Sequence, residues 1–235
     1  MTDFKRARNA KAKEARRNSI LEAAATLYKA NQTTLPTTSQ ISRHCEISKG
    51  ALYLYFKTKE EIFLAIIESY LIDWISLFDT HELAHPTQDF DTEGLLPVLD
   101  RACDFMEAHP MFLQLASMNN CIIEHNVDHK ILLHHKNQIA SQVNKAAQSL
   151  TKDNGVMSQQ EAASLIMRSY AVLLGLWQVA HPLESIAKVL QTSSMQVLMP
   201  SFADSSRGTL KEIWLAEIQT KKPEKSGIFG KLFSR

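Results

Sequence analysis

Apolar positions along this chain recur three and four residues apart far more often than they alternate, so the pattern predicts helices and few strands. A first helix from near Lys11 places Ile20, Ala23, Ala24 and Leu27 on one face, and Asn31, tolerant of the left-handed conformation, is expected to end it. Thr37 and Gln40 form a capping box for a short second helix that turns Ile41 inward and stops near Cys45. Ser48 caps a third, Lys49 to Phe56, with Leu52 and Phe56 on the core side and Lys49 and Tyr53 on another face. The three residues Glu46-Ile47-Ser48 separate these two helices, which is the spacing of a helix-turn-helix.

Thr58 and Glu61 make a second capping box, opening a long apolar helix through Ile62, Ala65, Ile66, Tyr70 and Trp74 to about Asp79. A polar connector with Pro86 runs from Thr80 to Thr92. Helices are predicted at about 94–108, 110–125 and 128–150, with His109-Pro110 and Asn154-Gly155 as breaks. Ser158 and Glu161 cap a further helix that reaches His181-Pro182, and a last one from about 201 to 220 carries Leu210, Ile213, Trp214 and Ile218 on one side.

Composition supports this all-α reading. The chain has 235 residues, 45% of them apolar, with only seven glycines and seven prolines, enough for one or two packed domains. A charged start and the lack of about eighteen consecutive uncharged apolar residues argue against a signal peptide and a membrane span, so the expected location is the cytoplasm. Cys45, Cys103 and Cys121, odd in number and far apart, suit reduced thiols. The net charge of +1 conceals a division. Residues 1–62 hold twelve Lys/Arg against six Asp/Glu, residues 63–220 nine against eighteen, and residues 221–235 five against one. A basic head on an acidic body is expected where one end meets a polyanion.

Arg17, Ile20-Leu21, Ala23-Ala24 and Leu27-Tyr28, then Thr37 to Ile41, then Ile47 to Phe56 with Lys59-Glu60-Glu61, resemble the first helix, second helix, recognition helix and fourth-helix entry of the tetracycline-repressor-like (TetR) transcriptional regulators. The resemblance implies a three-helix DNA-binding domain over residues 1–60, a helical ligand-binding and dimerisation domain over 61–220, and a basic tail over 221–235. It implies a dimer on a near-palindromic duplex, acting as a repressor released by a small-molecule effector. The DNA-facing set it implies is Thr37, Ser39, Lys49, Gly50, Ala51, Tyr53, Leu54, Tyr55 and Lys59. Lys49 reaches a base edge or phosphate; Gly50 and Ala51 are small enough for close approach to a groove; Tyr53, Tyr55, Ser39 and Lys59 suit phosphates, with the basic arm Lys5 to Arg17 adding contacts.

For the dimer, the resemblance points to the last two long helices and Ala162, Leu165, Leu173, Leu174, Ile213 and Trp214. For an effector cavity it points to Trp74, Phe78, Phe105, Met106, Asn119, Asn120 and Trp177. Cys45 and Glu46 depart from the Ala-Gly usual in the family, and Glu in a left-handed turn position costs on the order of 1–2 kcal/mol.

His81-Glu82-Leu83-Ala84-His85 fits the H-E-x-x-H pattern of zinc hydrolases, but Pro86 stops a helix there and Gln88 and Asp91 break the extended form of the motif. His125 with His129, and His134-His135, have no identifiable third ligand, so no metal or cofactor is expected. No P-loop, dinucleotide fingerprint or G-x-S-x-G elbow occurs, which leaves catalysis without support. An architectural or division-linked DNA binder of the same fold, working through a protein partner without an inducer, stays open. So does a partner or membrane-surface role for Ile228, Phe229, Leu232 and Phe233 in the tail.

Overall fold

The computed structural model describes residues 2–31, 34–79, 92–152, 157–191 and 194–221, and no strand occurs among them. Among the described residues ten α-helices follow in order: α1 Thr2–Ala30, α2 Thr38–His44, α3 Lys49–Tyr53, α4 Lys59–Ser76, α5 Thr92–Ala108, α6 Pro110–Met118, α7 His129–Thr151, α8 Gln159–Ala180, α9 Glu184–Leu190 and α10 Phe202–Lys221. A π-helical turn at Asn119–Ile123 and a 3-10 turn at Glu124–Asn126 join α6 to α7, and a second 3-10 turn lies at Gln196–Leu198. The all-α expectation holds. The H-E-x-x-H segment, the connector around it, the Asn154-Gly155 turn and the tail beyond Lys221 lie outside the described residues.

The chain forms two compact units, residues 1–72 with 110–139, and 73–109 with 140–235. In the first, Ile20, Ala24, Tyr28, Ile41, Leu52 and Phe56 are buried together with Ile62, Phe63, Leu64 and Ile67 of α4. Of the predicted α1 stripe Ile20, Ala23 and Ala24 are buried, whereas Leu27 is half-buried and Tyr28, one residue on, takes the inward position. Tyr28 meets Phe63 edge-on at 5.7 Å, and Tyr70 stacks on Phe112 of α6 at 5.6 Å. His135 Nδ1 lies 2.7 Å from Glu68 Oε2, so a buried imidazole of α7 is fixed to α4.

In the second unit α10 packs on α5 and α8. Trp214 is fully buried, stacked on Phe78 at 5.7 Å, and donates its Nε1 hydrogen to Ser169 Oγ at 2.8 Å. Ser169 in turn donates to the Leu165 carbonyl at 2.8 Å, so a hydroxyl in an apolar core has both a donor and an acceptor partner. Arg207 bridges Asp104 and Glu107, and Lys211 lies 3.3 Å from Asp100, fastening α10 to α5 by charge. By length and composition alone α8 is apolar enough to cross a membrane, yet it buries Leu165, Ile166, Ser169, Leu173 and Trp177 within this unit.

Four features differ from the pattern reading, the first being that the helix expected over about 110–125 ends at Met118 and gives way to the π-turn and the 3-10 turn. α1 begins at Thr2 rather than near Lys11, because residues 2–17 contain no Gly or Pro and are rich in Ala, Lys and Arg, good helix formers. Asn31 ends that helix without a positive φ; its N–H bonds the Tyr28 carbonyl at 3.1 Å, a tightened last turn instead of a left-handed cap. A helix, α9, lies between α8 and α10 where none was predicted.

Candidate nucleic-acid interface

The geometry of the helix-turn-helix follows from its caps. Thr37 Oγ1 accepts the Gln40 N–H at 3.3 Å while Gln40 Oε1 accepts the Thr37 N–H at 2.8 Å, fixing the start of α2. Ser48 Oγ accepts the Ala51 N–H at 3.1 Å and starts α3. Between them the chain turns on Glu46, at φ 55° the one non-glycine residue with positive φ among the described residues. The Ile47 N–H returns to the Ser42 carbonyl at 3.0 Å, and Cys45 Sγ sits 3.6 Å from the Ser19 carbonyl, tying the turn to α1. Burial pushes the Cys45 thiol up, with its bond to Ser19 and the nearby Arg16 charge opposing.

The outer face of this unit is the set of residues left over by that packing. Leu52 and Phe56 are buried, whereas Lys49 and Gly50 are exposed, Tyr53 is 40% exposed and Leu54 is 77% exposed. A Cβ on Gly50 would meet only Ser48 Oγ, at 3.8 Å, so nothing in the protein requires glycine there. Tyr53 is held from both ends: its hydroxyl lies 3.3 Å from Thr38 Oγ1, and its carbonyl accepts Lys57 Nζ at 2.9 Å. α4 then starts with Thr58 Oγ1 accepting the Glu61 N–H at 3.1 Å and Glu61 Oε2 accepting the Lys57 N–H at 2.6 Å, one residue earlier than a reciprocal box would place it.

Thr37, Ser39, Lys49, Gly50, Ala51, Tyr53 and Leu54 all fall on α2, α3 or their caps, with Lys59 at the first position of α4, 4.0 Å from Glu60. Tyr55 is half-buried. It lines a cavity of about 180 Å³ with Arg17, Glu61, Glu68 and His135, and also the wall of an open cleft of about 540 Å³ whose other residues are Ala12, Lys13, Arg16 and Leu54. Arg17 stands 5.4 Å over the Phe56 ring. Lys13 and Arg16 line that cleft, and Thr38 and Lys57 contact Tyr53. The pattern passed over Thr38 because its part depends on a contact between α2 and α3, and over Lys57 because its bond to the Tyr53 carbonyl four residues back lies just past the end of α3.

The residues proposed to line an effector cavity divide between the units. Trp74, Phe78 and Met106 are fully buried in the second, where Trp74 Nε1 donates to the Ala102 carbonyl at 3.1 Å. Phe105 packs on His109 and Trp177 on His181, with centroids 4.2 and 4.8 Å apart. Asn119 and Asn120 belong to the first unit, on the π-turn. Asn120 is exposed; Asn119 is buried, donates to Glu124 Oε1 at 2.6 Å, and keeps its own Oδ1 buried with no hydrogen-bond partner among the described residues. Of the dimer residues, Ala162, Leu165, Leu173 and Trp214 are buried inside the protomer, while Leu174 and Ile213 are half-buried. Among the described residues no three His, Cys, Asp or Glu side chains are grouped to hold a metal ion.

Comparison with known proteins agrees with this arrangement. A family model described as "Bacterial regulatory proteins, tetR family" matches residues 20–66, and one described as "Tetracyclin repressor-like, C-terminal domain" matches residues 97–215. The HTH-type transcriptional regulator YfiR of Bacillus subtilis (strain 168) is 37% identical over 67 residues, 28% of this chain and 33% of that protein. The chain thus spans about a third of that relative's length. A solved structure assigned to the tetR family of transcription regulators, from Shewanella sp. PV-4, superposes with a TM-score of 0.52 over 84% of this chain and 97% of its own, at 11% identity, which shows a shared fold.

Proposed function

This chain belongs to the tetR family of bacterial regulatory proteins, and from that membership we propose that it is a cytoplasmic repressor, bound as a homodimer to a near-palindromic operator and released by a small-molecule effector. It is a DNA-binding transcriptional regulator rather than an enzyme. Residues 1–60 read the duplex, residues 61–220 dimerise and take the effector, and Thr37, Ser39, Lys49, Gly50, Ala51, Tyr53, Leu54, Tyr55 and Lys59 are the contact set.

The observation that carries the DNA assignment is the outward face of α3. A helix whose inner face is used by Leu52 still presents Lys49, Gly50 and a Tyr53 fixed by Thr38 and Lys57. Such a short helix, with small residues in its first turn, fits a major groove about 12 Å wide. Lys49 supplies a charge for a base edge or phosphate, and the Lys13 and Arg16 cleft supplies two more for the backbone. The effector assignment is supported by Asn119: a buried acceptor without a donor costs about 1–3 kcal/mol, and a ligand hydroxyl or N–H removes that cost. One headpiece spans too few base pairs for useful selectivity, which is the argument for the dimer.

The test is selection of bound genomic fragments by the purified protein, followed by a screen for compounds that release them. One or a few palindromic promoter sites, released by a compound whose effect is lost in Asn119→Leu, is the expected result. Binding spread along the chromosome with no preferred sequence would instead identify an architectural DNA binder.

A further inference from the structure

Leu54, at 77%, is the most exposed large apolar side chain among the described residues of the first unit, so no neighbouring helix covers it. Leu52 and Phe56, two residues before and after it, are buried. Leu54 is the C-cap of α3 and keeps helical dihedrals, φ −71° and ψ −21°, and the Phe56 N–H still reaches the Leu52 carbonyl at 3.1 Å. Gly50 and Leu54 therefore stand four residues apart on one helical face, about 6 Å along the axis, which is roughly two base-pair steps of a duplex.

The surroundings of Leu54 are basic. It lines an open cleft with Ala12, Lys13, Arg16 and Tyr55, so two cations of α1 stand beside it. A solitary exposed leucine is common on a protein surface, but this one shares its helical face with Gly50, where a Cβ would meet only Ser48 Oγ and a duplex has room to come close. A duplex seated against Gly50 also covers Leu54, while Lys13 and Arg16 meet phosphates beside it. Leucine has neither donor nor acceptor. Every base edge in the major groove carries polar groups, and thymine alone adds an apolar one, its 5-methyl group.

We propose that Leu54 is a specificity-determining residue that reads the 5-methyl group of a thymine in the bound duplex, about two base-pair steps from the base pair facing Gly50. The inference rests on the duplex contact of α3 proposed above and assigns one base of the sequence it selects. Over thymine, two apolar groups leave water together. Over cytosine, adenine or guanine the side chain strips water from a polar edge and returns no hydrogen bond, so the same residue attracts one base and disfavours the others. Lys13 and Arg16 add affinity without sequence preference.

The test is a uracil scan. A duplex selected by the full chain from a randomised synthetic pool is remade with each thymine in turn replaced by deoxyuridine, which keeps the pairing and removes only the methyl group. Affinities are measured for wild type, Leu54→Ala and Leu54→Met. At one thymine the wild type is expected to lose about fourfold in affinity, the worth of one buried methyl group. Leu54→Ala should bind the all-thymine duplex at least about fourfold more weakly and be indifferent to uracil at that position, whereas Leu54→Met keeps the discrimination. The side chain is exposed, so circular dichroism and thermal unfolding of both variants should match wild type. A wild type indifferent to every replacement, or uracil penalties equally large in Leu54→Ala at every position, would overturn the assignment and leave the regulator reading standing. So would unchanged affinity in Leu54→Ala. A pool that yields no preferred sequence would sink the regulator reading itself, and this inference with it.

Discussion

The hydroxyls of Thr38 and Tyr53 lie 3.3 Å apart, linking the first residue of α2 to the last of α3. Tyr53 is 40% exposed, so without this bond its ring has several rotamers open to it and must lose that freedom on meeting a duplex. Thr38→Val removes the bond at nearly constant volume. It is expected to weaken duplex binding about threefold to tenfold, the worth of a net hydrogen bond of roughly 0.5–1.5 kcal/mol, with thermal stability changed by less than that. Fluorescence anisotropy on the selected duplex measures it, and unchanged affinity would show that Tyr53 is not positioned from α2.

Glu46 pays for the turn. At φ 55° a side chain with a Cβ is strained by on the order of 1–2 kcal/mol, and glycine is not. Glu46→Gly is therefore expected to stabilise the protein by about 1 kcal/mol, after allowing for the greater freedom of glycine in the unfolded chain. Denaturant unfolding measures it, and a destabilised variant would mean that the Glu46 side chain makes a compensating contact.

Ser169 is the polar centre of the second unit, accepting from Trp214 and donating to the Leu165 carbonyl. Ser169→Ala leaves a buried indole N–H without a partner, and the expected loss is about 1–3 kcal/mol. Trp214→Phe in the same background removes the orphaned donor, so the double variant should lose less than the sum of the two single changes. Strict additivity in that cycle would show the bond to be of no consequence.

The three thiols are expected to react in the order of their surroundings. Cys121 is exposed, Cys45 is half-buried with its thiol pushed up by burial, and Cys103 is fully buried with its thiol pushed up to about 11. Burial is the main cause at Cys103, with the Ser206 bond and the Arg207 charge opposing it. At mildly alkaline pH a maleimide should modify Cys121 first and Cys103 only on unfolding. The sign for stability follows. The folded thiol holds its proton beyond the ordinary value of 9, so this contribution is complete below pH 9 and is lost as pH climbs towards about 11. Rapid modification of Cys103 in the native protein would contradict its burial.

Much of the fold was readable from spacing. The capping pairs Thr37/Gln40 and Ser158/Glu161 stand where they were predicted, because a cap is a local device. The left-handed position at Glu46 was legible only through the family resemblance, which puts glycine there. What spacing leaves open is non-local. Trp214 and Leu165 are buried within the protomer, and an apolar stripe has the same period whether a neighbouring helix or a second protomer covers it. α9 escaped because a short helix with no buried residue has no inward face to imprint on the sequence. The part of Thr38 in holding Tyr53 depends on two helices meeting, which spacing does not record.

The central claim is that the first turn of α3 lies against a duplex, and Gly50→Leu tests it most directly. A Cβ there would meet only Ser48 Oγ, at 3.8 Å, the position is exposed, and glycine within a helix is itself unfavourable by roughly 0.5–1 kcal/mol, so the leucine variant should be at least as stable as wild type. Its bulk would hold the helix off the groove, and affinity for the selected duplex should fall by at least about tenfold. A stable Gly50→Leu protein that binds that duplex as tightly as wild type would contradict the account.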